Sequence, residues 1–229
     1  MKLIKALIIS VFIAVYCLIS LGNHYYFRTF YWDLTNYINA MYHYVHFNID
    51  QFLFLNGGHF DVIAMLVSPL TLVFGTYALL VVQVTAIIAG GIGVFNYIYS
   101  HSNKALLSIL AMLHFYLFFS IYTALYQDYH GNVIGAMLVP WFFLFVQKEN
   151  WGKASIIFTL IILSKENMSL WLFFICIGLA FNYKNDWKKI KKIFFFGITA
   201  LIYFFYNWVC YSVRFSRGRF KTLFFFPWK

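Results

Sequence analysis

Charged residues are scarce in this sequence, and acids are the scarcest of them. Only 10% of its 229 residues are charged, with 7 Asp and Glu against 17 Lys and Arg. The 3 cysteines are far apart and lie within apolar runs, which excludes a disulfide framework or a paired-cysteine metal site. No P-loop, HExxH or GxSxG pattern occurs, so these common enzyme signatures are excluded as well.

Apolar residues dominate instead, with 63% of the chain hydrophobic and 24% aromatic. One soluble core could not bury this much apolar surface, so the composition predicts an integral membrane protein. The formal net charge of +10 does not indicate nucleic acid, because most lysines lie in short loops between apolar runs, as orientation in a membrane requires. Membrane lipids are therefore expected as partners, and nucleic acid is not.

Apolar stretches of about 20 residues, the length that crosses the hydrocarbon, recur along the chain. The clear ones are 4–22, 77–99, 105–122, 132–147 and 193–212. The long stretch 154–183 has SKEN in its interior and is predicted to form two short passes that meet at an outer turn. The short stretch 60–74 contains Pro69 and is predicted to stay at the outer interface. The sequence thus predicts an all-α polytopic bundle of about seven spans.

The lysine-rich loops predict the orientation of this single membrane domain, 1–229. Lys2, Lys5, Lys104 and the lysines of 184–192 are assigned to the cytoplasm, with the N-terminus. The predicted parts are an uncleaved first span 4–22, a long extracytoplasmic loop 23–76 with interfacial helices, the remaining spans within 77–212, and an outer basic tail 213–229. This arrangement places most acids on the outer side, namely Asp33, Asp50, Asp61, Asp128 and Glu166.

Two features of the outer loop have alternative interpretations. Asp33, after Tyr31 and Trp32, either caps an interfacial helix or is a catalytic carboxylate beside rings that stack on a sugar. If one helix continues through His43, His46 and Asp50, their spacing places all three side chains on the same face of that helix. They are then weak metal-ligand candidates, and otherwise titrating interfacial side chains.

Later segments add further outer candidates. Asp61 is predicted to cap the apolar segment that follows it, whereas His59 has no such structural role and is a site candidate. Asp128 and His130 flank Tyr129 at a turn between apolar runs. Lys165 and Glu166 form either a boundary ion pair or part of a site that meets a phosphate. Arg217 belongs to a basic cluster that is either a solvated tail or a site for anionic lipid.

The order of these motifs resembles a family of prokaryotic predicted membrane proteins, domain of unknown function number 2079, which is grouped with the GT-C glycosyltransferases. The segments that carry the resemblance are FYWDLTNYINAMYHYVHF, GGHFDVIAMLVSPL, DYHGNVIGAMLVPWFFL and ILSKENMSLWL. The chain departs from the family pattern at Asp61, where Ser is common, at Gly131 in place of Pro, and at Asn167 in place of an acid. It is also shorter than is usual in the family, which predicts a truncated product.

The resemblance implies a GT-C-like fold and a membrane-embedded transferase in the prokaryotic cytoplasmic membrane. Such an enzyme takes a sugar from a polyprenyl-phosphate donor on the extracytoplasmic side. Asp33 is then the expected base and Asp128 a second catalytic carboxylate. The substrate-binding residues expected with them are His59, His130, Lys165, Glu166, Arg217, Tyr31 and Trp32. A divalent cation is left open as a cofactor.

The alternative is a non-catalytic membrane protein, either a transporter or flippase-like subunit or an inactive fragment that binds lipid. A transporter is expected to carry polar residues at the middle of the membrane on broken helices. Here the predicted spans are almost free of charge and the polar groups gather at one surface. The sequence therefore favours chemistry on a lipid-linked substrate.

Overall fold

The computed structural model describes residues 2–29, 31–47 and 61–216, and the side chains of 31–33 and 210–216 lie outside that description. The described residues contain helices and no strand, so the predicted all-α class is confirmed for them. The helices are α1 (Lys2–Tyr25), α2 (Tyr31–Val45), α3 (Val62–Val67), α4 (Thr71–Phe74), α5 (Ala78–Ser102), α6 (Ala105–Tyr116), α7 (Phe119–Gln127), α8 (Gly131–Gln147), α9 (Trp151–Ser164), α10 (Glu166–Asn182) and α11 (Trp187–Ser216). Two 3₁₀ turns, Ser68–Leu70 and Gly75–Tyr77, flank α4.

Length and hydropathy identify the helices that can cross a membrane. Three described segments qualify, namely Lys2–Tyr25, Val62–Ser102 and Trp187–Val209. The pair α6 and α7 qualifies as a fourth span, bent by 41°. Helices α8, α9 and α10 are apolar but shorter, so each reaches only about 21 to 26 Å at 1.5 Å per residue. These helices support an integral membrane protein, and the total of about seven spans stays a prediction.

Several lysine-bearing helix ends meet at one end of the bundle, which we call the basic end. The contacts that join it are Lys5 Nζ over the Phe95 ring at 3.9 Å, Ser100 Oγ to Gln147 Oε1 at 3.0 Å, and Lys189 Nζ to Glu149 Oε1 at 2.9 Å. The start of α1 therefore lies beside the ends of α5 and α8 and the start of α11. The fold gathers these lysines as the positive-inside argument requires.

The other end of the bundle, which we call the His130 end, collects acids from separate segments. The contacts that join it are His24 Nε2 with Thr76 Oγ1 at 2.9 Å, Gln83 Nε2 to the Asp128 carbonyl at 2.7 Å, and Tyr129 OH to Asp61 Oδ2 at 3.1 Å. Asp61 and Asp128 thus lie at the same end, opposite the lysines of the basic end. Which end faces the cytoplasm stays a prediction.

The predicted span 105–122 is interrupted by a bend. α6 ends at Tyr116 and α7 begins at Phe119, with an extended backbone at Phe118 between them. The hydroxyl of Tyr16 on α1 donates a hydrogen bond of 2.7 Å to the Tyr116 carbonyl, which the break has left without its helical partner. A carbonyl in apolar surroundings needs such a partner, so a neighbouring helix makes the bend tolerable.

Other predicted boundaries have mixed outcomes. The break predicted inside 154–183 is present, because Lys165 is extended between α9 and α10. The stretch 60–74 forms α3 and α4, which pack against α2, and α3 also contacts α9. Of the two alternatives for Asp33, the N-cap does not fit the helix boundary, since α2 begins two residues earlier at Tyr31. The last predicted span, 193–212, lies inside the longer α11.

Close packing of α5 on α6 depends on the absence of a side chain at Gly91. The fully buried Tyr116 donates its hydroxyl to the Ile88 carbonyl at 2.8 Å, which holds its ring against α5. A Cβ atom at Gly91 would overlap that ring, whereas one at Gly178 on α10 would meet nothing within 4 Å. These two glycines therefore form a matched pair for mutation.

Gly91→Ala is expected to destabilise the fold by about 1 to 3 kcal/mol, because the Tyr116 ring must move out of a well-packed position. The measurement is the thermal unfolding midpoint of purified protein in detergent. Gly178→Ala is the control and should be neutral or slightly stabilising, since alanine favours a helix more than glycine does. Equal midpoints for the two variants would contradict the packing described at Gly91.

Single cysteines at the two ends of the bundle test the predicted orientation. In a background with Cys17, Cys176 and Cys210 replaced by Ala, Gln127→Cys and Lys104→Cys both introduce exposed thiols, one at each end. A membrane-impermeant maleimide should label Gln127→Cys in intact cells and Lys104→Cys only after permeabilisation. Labelling of both from the same side would refute the predicted arrangement.

Candidate functional site

Asp61 is buried where the start of α3 meets the turn before α8. Its side chain is only 3% exposed. One carboxylate oxygen accepts a hydrogen bond from the Ala64 amide at 3.1 Å, which confirms the predicted N-cap. The other accepts a hydrogen bond from the Tyr129 hydroxyl at 3.1 Å. Asp61 therefore links two segments that lie 68 residues apart in the sequence.

The surroundings of Asp61 change its acidity. Burial raises the pKa of its carboxyl from 3.8 to about 6, while the bonds from Ala64 and Tyr129 and the charge of Lys165 oppose the rise. Glu166 acts in the same direction as burial. Lys165 and Glu166 thus lie close enough to Asp61 to influence it, which brings the turn between α9 and α10 into the cluster.

The turn between α7 and α8 is held by the fully buried side chain of Gln83. Its Nε2 donates to the carbonyls of Asp128, at 2.7 Å, and Ala124, at 3.2 Å. Its Oε1 accepts from the amide of His130 at 2.9 Å. One amide side chain from α5 therefore satisfies backbone groups on both sides of the turn. The sequence signal for Gln83 is a polar residue near the start of an apolar helix, and it was not among the predicted site residues.

Asp128 and His130 form a pair across this turn. Asp128 Oδ1 lies 3.0 Å from His130 Nδ1, with Asp128 2% and His130 35% exposed. The second oxygen, Asp128 Oδ2, is buried and has no hydrogen-bond partner among the described residues. A buried carboxylate oxygen without a donor is costly, so it is a candidate to receive one from a ligand. Both residues were predicted as site residues, and their roles stay proposals.

Gly131, the first residue of α8, brings the cluster together. A Cβ atom there would overlap Asp61 Oδ2 and the carbonyl of Ser164, so a side chain would force these segments apart. Packing therefore explains why glycine occupies this position. Through Gly131, the starts of α8 and α3 and the end of α9 meet at one point.

The remaining predicted site residues are only partly described. Asp33, Tyr31 and Trp32 lie on the first turn of α2, and their side chains are outside the description. His59, Asp50 and Arg217 lie outside the described residues altogether. The structure therefore places only Asp128, His130, Lys165 and Glu166 of the predicted set at the His130 end.

The helix on which the metal hypothesis depended does not continue. α2 ends at Val45, before His46 and Asp50, and His46 Nδ1 lies 2.8 Å from the Tyr42 carbonyl. One helix therefore does not carry His43, His46 and Asp50 on a common face. Among the described residues no group of three or more His, Cys, Asp or Glu side chains is placed to hold a metal ion.

Comparison with known proteins gives one match. Residues 20–224 match the sequence model of a family described as Predicted membrane protein (DUF2079). No curated protein matches the chain, and no solved structure does. The matched range includes every segment of the His130 end, from the end of α1 to the turn at Lys165.

The raised pKa of Asp61 predicts a pH dependence of stability. A carboxyl whose pKa is raised on folding stabilises the fold fully below its ordinary pKa of 3.8, and this contribution is lost as the pH rises through about 6. Relative to Asp61→Asn, the wild-type protein should therefore lose up to about 3 kcal/mol between pH 4 and pH 7, at 1.36 kcal/mol per pKa unit.

Thermal unfolding of both proteins across this pH range measures the effect. The control is Asp186→Asn, because Asp186 also accepts a hydrogen bond from the amide three residues later, at 3.1 Å, but is 44% exposed. Asp186→Asn shows the effect of losing a helix-cap hydrogen bond at an exposed position. A pH-independent difference between Asp61→Asn and wild type would show that burial does not raise the pKa of Asp61.

Proposed function

The chain belongs to the family described as Predicted membrane protein (DUF2079), and from this premise we propose that it is a membrane-embedded glycosyltransferase of the GT-C type. It transfers a hexosyl or pentosyl group from a polyprenyl-phosphate donor to an acceptor hydroxyl. The His130 end then faces the extracytoplasmic side of a prokaryotic cytoplasmic membrane, with the N-terminus in the cytoplasm.

The observation that carries the proposal is the unpartnered oxygen of Asp128 beside the partly exposed His130. Sugar transfer needs a carboxylate that takes the proton of the acceptor hydroxyl. Asp128 offers a buried oxygen for that proton, while its other oxygen lies 3.0 Å from Nδ1 of the His130 imidazole. A purely structural carboxylate at this depth would be expected to use both oxygens, as Asp61 does.

The reaction is an inverting displacement at the anomeric carbon. The acceptor oxygen bonds to C1 and gives its proton to Asp128 Oδ2, while the bond from C1 to the phosphate oxygen breaks. The polyprenyl phosphate leaves with the electron pair of that bond. The sequence predicts Asp33 as the base instead, so Asp33 is kept as the other candidate, and Tyr31 and Trp32 beside it would stack on the sugar.

Positive potential for the phosphate comes from two helix starts and from Lys165. α8 and α10 begin close together at the His130 end, and neither start is capped by a side chain. Their amide groups and dipoles favour an anion there. Lys165 adds a positive charge, His130 is a further contact for the phosphate, and Glu166 orients Lys165. His59 and Arg217 are proposed as further phosphate ligands from the sequence alone.

Asp128→Asn tests the proposed base. Transfer of labelled sugar from a panel of polyprenyl-phosphate hexoses and pentoses, measured in reconstituted vesicles, should fall by roughly 10² to 10⁴-fold, because the amide cannot accept the proton. Glu149→Gln, an exposed acid at the basic end, is the control and should keep wild-type activity. Asp33→Asn in parallel decides between the two candidate bases.

The fold of each variant is checked by size-exclusion elution in detergent. Full activity of Asp128→Asn would remove Asp128 as the base. Absence of transfer by the wild-type protein across the whole panel would favour the non-catalytic alternative, a transporter, a flippase-like subunit or a lipid-binding fragment.

A further inference from the structure

A groove lies on the surface of the bundle, between α7 and the part of α1 that is nearest to the His130 end. Its lining residues are Ile19, Tyr122, Thr123, Tyr126 and Gln127, and its volume is about 370 Å³. This volume lies within the range of about 300 to 1,000 Å³ that is usual for small-molecule sites. We call it the α1–α7 groove.

The groove lies beyond the bend between α6 and α7. Before the bend, the Tyr16 hydroxyl on α1 donates to the Tyr116 carbonyl, and the Phe12 and Tyr116 rings are 4.9 Å apart. After the bend, α7 departs by 41° from the direction of α6. In this part of the bundle α1 contacts α7, and the groove lies between the two helices at Ile19.

The groove has two ends defined by contacts. At its lower end the Tyr122 ring meets the edge of Tyr16, with centroids 6.0 Å apart. At its upper end Asn23 Nδ2 donates to the Tyr126 carbonyl at 3.5 Å. Contacts at both ends of the groove therefore hold α1 to α7, and the groove is the space between these contacts.

The two helices that form the groove expose large apolar side chains next to it in sequence. Leu18 on α1 is 75% exposed and Phe119 on α7 is 76% exposed, and both helices belong to candidate membrane spans. Apolar side chains this exposed in a membrane helix face lipid chains. A hydrocarbon chain is thus the ligand chemistry that surrounds the groove.

The groove also leads to the proposed catalytic residue. Its last lining residue, Gln127, directly precedes Asp128 in the chain. The opposite face of the same helical turn is fixed to α5, because Gln83 binds the carbonyls of Ala124 and Asp128. A chain lying in the groove therefore reaches Asp128 by crossing the end of one helix, whose diameter is about 10 Å.

We infer that the α1–α7 groove binds the phosphate-proximal isoprenoid units of a polyprenyl phosphate, and this inference rests on the proposed function. The phosphate then lies beyond the end of α7, toward the starts of α8 and α10. Tyr122 and Tyr126 contact the isoprenoid chain, while Thr123 and Gln127 form its more polar rim. The groove thereby selects a lipid with one chain next to its phosphate.

Photo-crosslinking tests this inference without requiring sugar transfer. The probe is a polyprenyl phosphate with a diazirine in its second isoprene unit, used with the full-length protein in vesicles. Labelled peptides should map to α7 and to the part of α1 around Ile19. Excess unlabelled polyprenyl phosphate should compete, whereas a diacyl phospholipid in the same excess should not.

Thr123→Trp fills the groove and should lower this labelling at least roughly tenfold. Ser120→Trp, at an exposed position on the same helix that does not line the groove, should leave it unchanged. Glu149→Gln, at the basic end, should label like the wild type, because Glu149 lies far from the groove. Labelling of the groove by a protein that shows no transfer would support the groove while the proposed activity fails.

Labelling elsewhere in the chain, equal competition by the diacyl phospholipid, or undiminished labelling of Thr123→Trp would each overturn the groove inference. If the wild type still transfers sugar in that case, the proposed function stands without it.

Discussion

A helix break inside an apolar bundle leaves backbone N–H and C=O groups without helical hydrogen bonds, and only the protein can provide partners for them. The His130 end depends on Gln83, which provides these partners. Its side-chain amide bonds to two carbonyls of the last turn of α7 and to the amide that starts α8. With those groups satisfied, the chain can turn between two apolar helices with Asp128 and His130 in the turn. Replacing Gln83 by an apolar residue would leave three buried backbone groups to find other partners.

The depth of this turn sets the electrostatics of the site. Gln83 lies five residues after the start of α5 at Ala78, so the turn that it binds is about 8 Å below that start. Charges at this depth are screened less than charges in water, which strengthens both attraction and repulsion. The same burial raises the pKa of Asp61. Weakly screened carboxylates next to a lysine and two helix starts are an arrangement suited to handling a phosphate and a proton.

Sequence patterns predicted the helices and the polar turns better than they predicted contacts. Apolar length and lysine position located the break at Lys165 and placed Asp61 and Asp128 at the end opposite the basic end, because both follow from local solvation. The bend after Tyr116 was not predictable, since it depends on a hydroxyl from Tyr16, 100 residues away. The partnership of Asp61 with Tyr129 was missed for a similar reason: the N-cap explained one oxygen and nothing local identified the donor to the other.

The close approach at Gly131 belongs to the same class of unpredicted features. The sequence shows a glycine at this position, but the reason for it lies in Asp61 and Ser164, which arrive from other segments. Helix boundaries decided two alternatives that the sequence left open. Asp33 lies inside α2 rather than at its N-cap, and α2 ends at Val45, so one helix does not carry the proposed histidine face. A few residues of error at a helix end are enough to change such assignments.

The central claim is that segments distant in sequence converge on one polar cluster at the His130 end. A double-mutant cycle on Asp61→Asn and Tyr129→Phe, read from unfolding free energies at pH 7, tests it most directly. The account predicts a coupling free energy of at least about 0.5 kcal/mol, as expected for side chains in direct contact. Additive effects of the two substitutions would contradict the convergence and the site built on it.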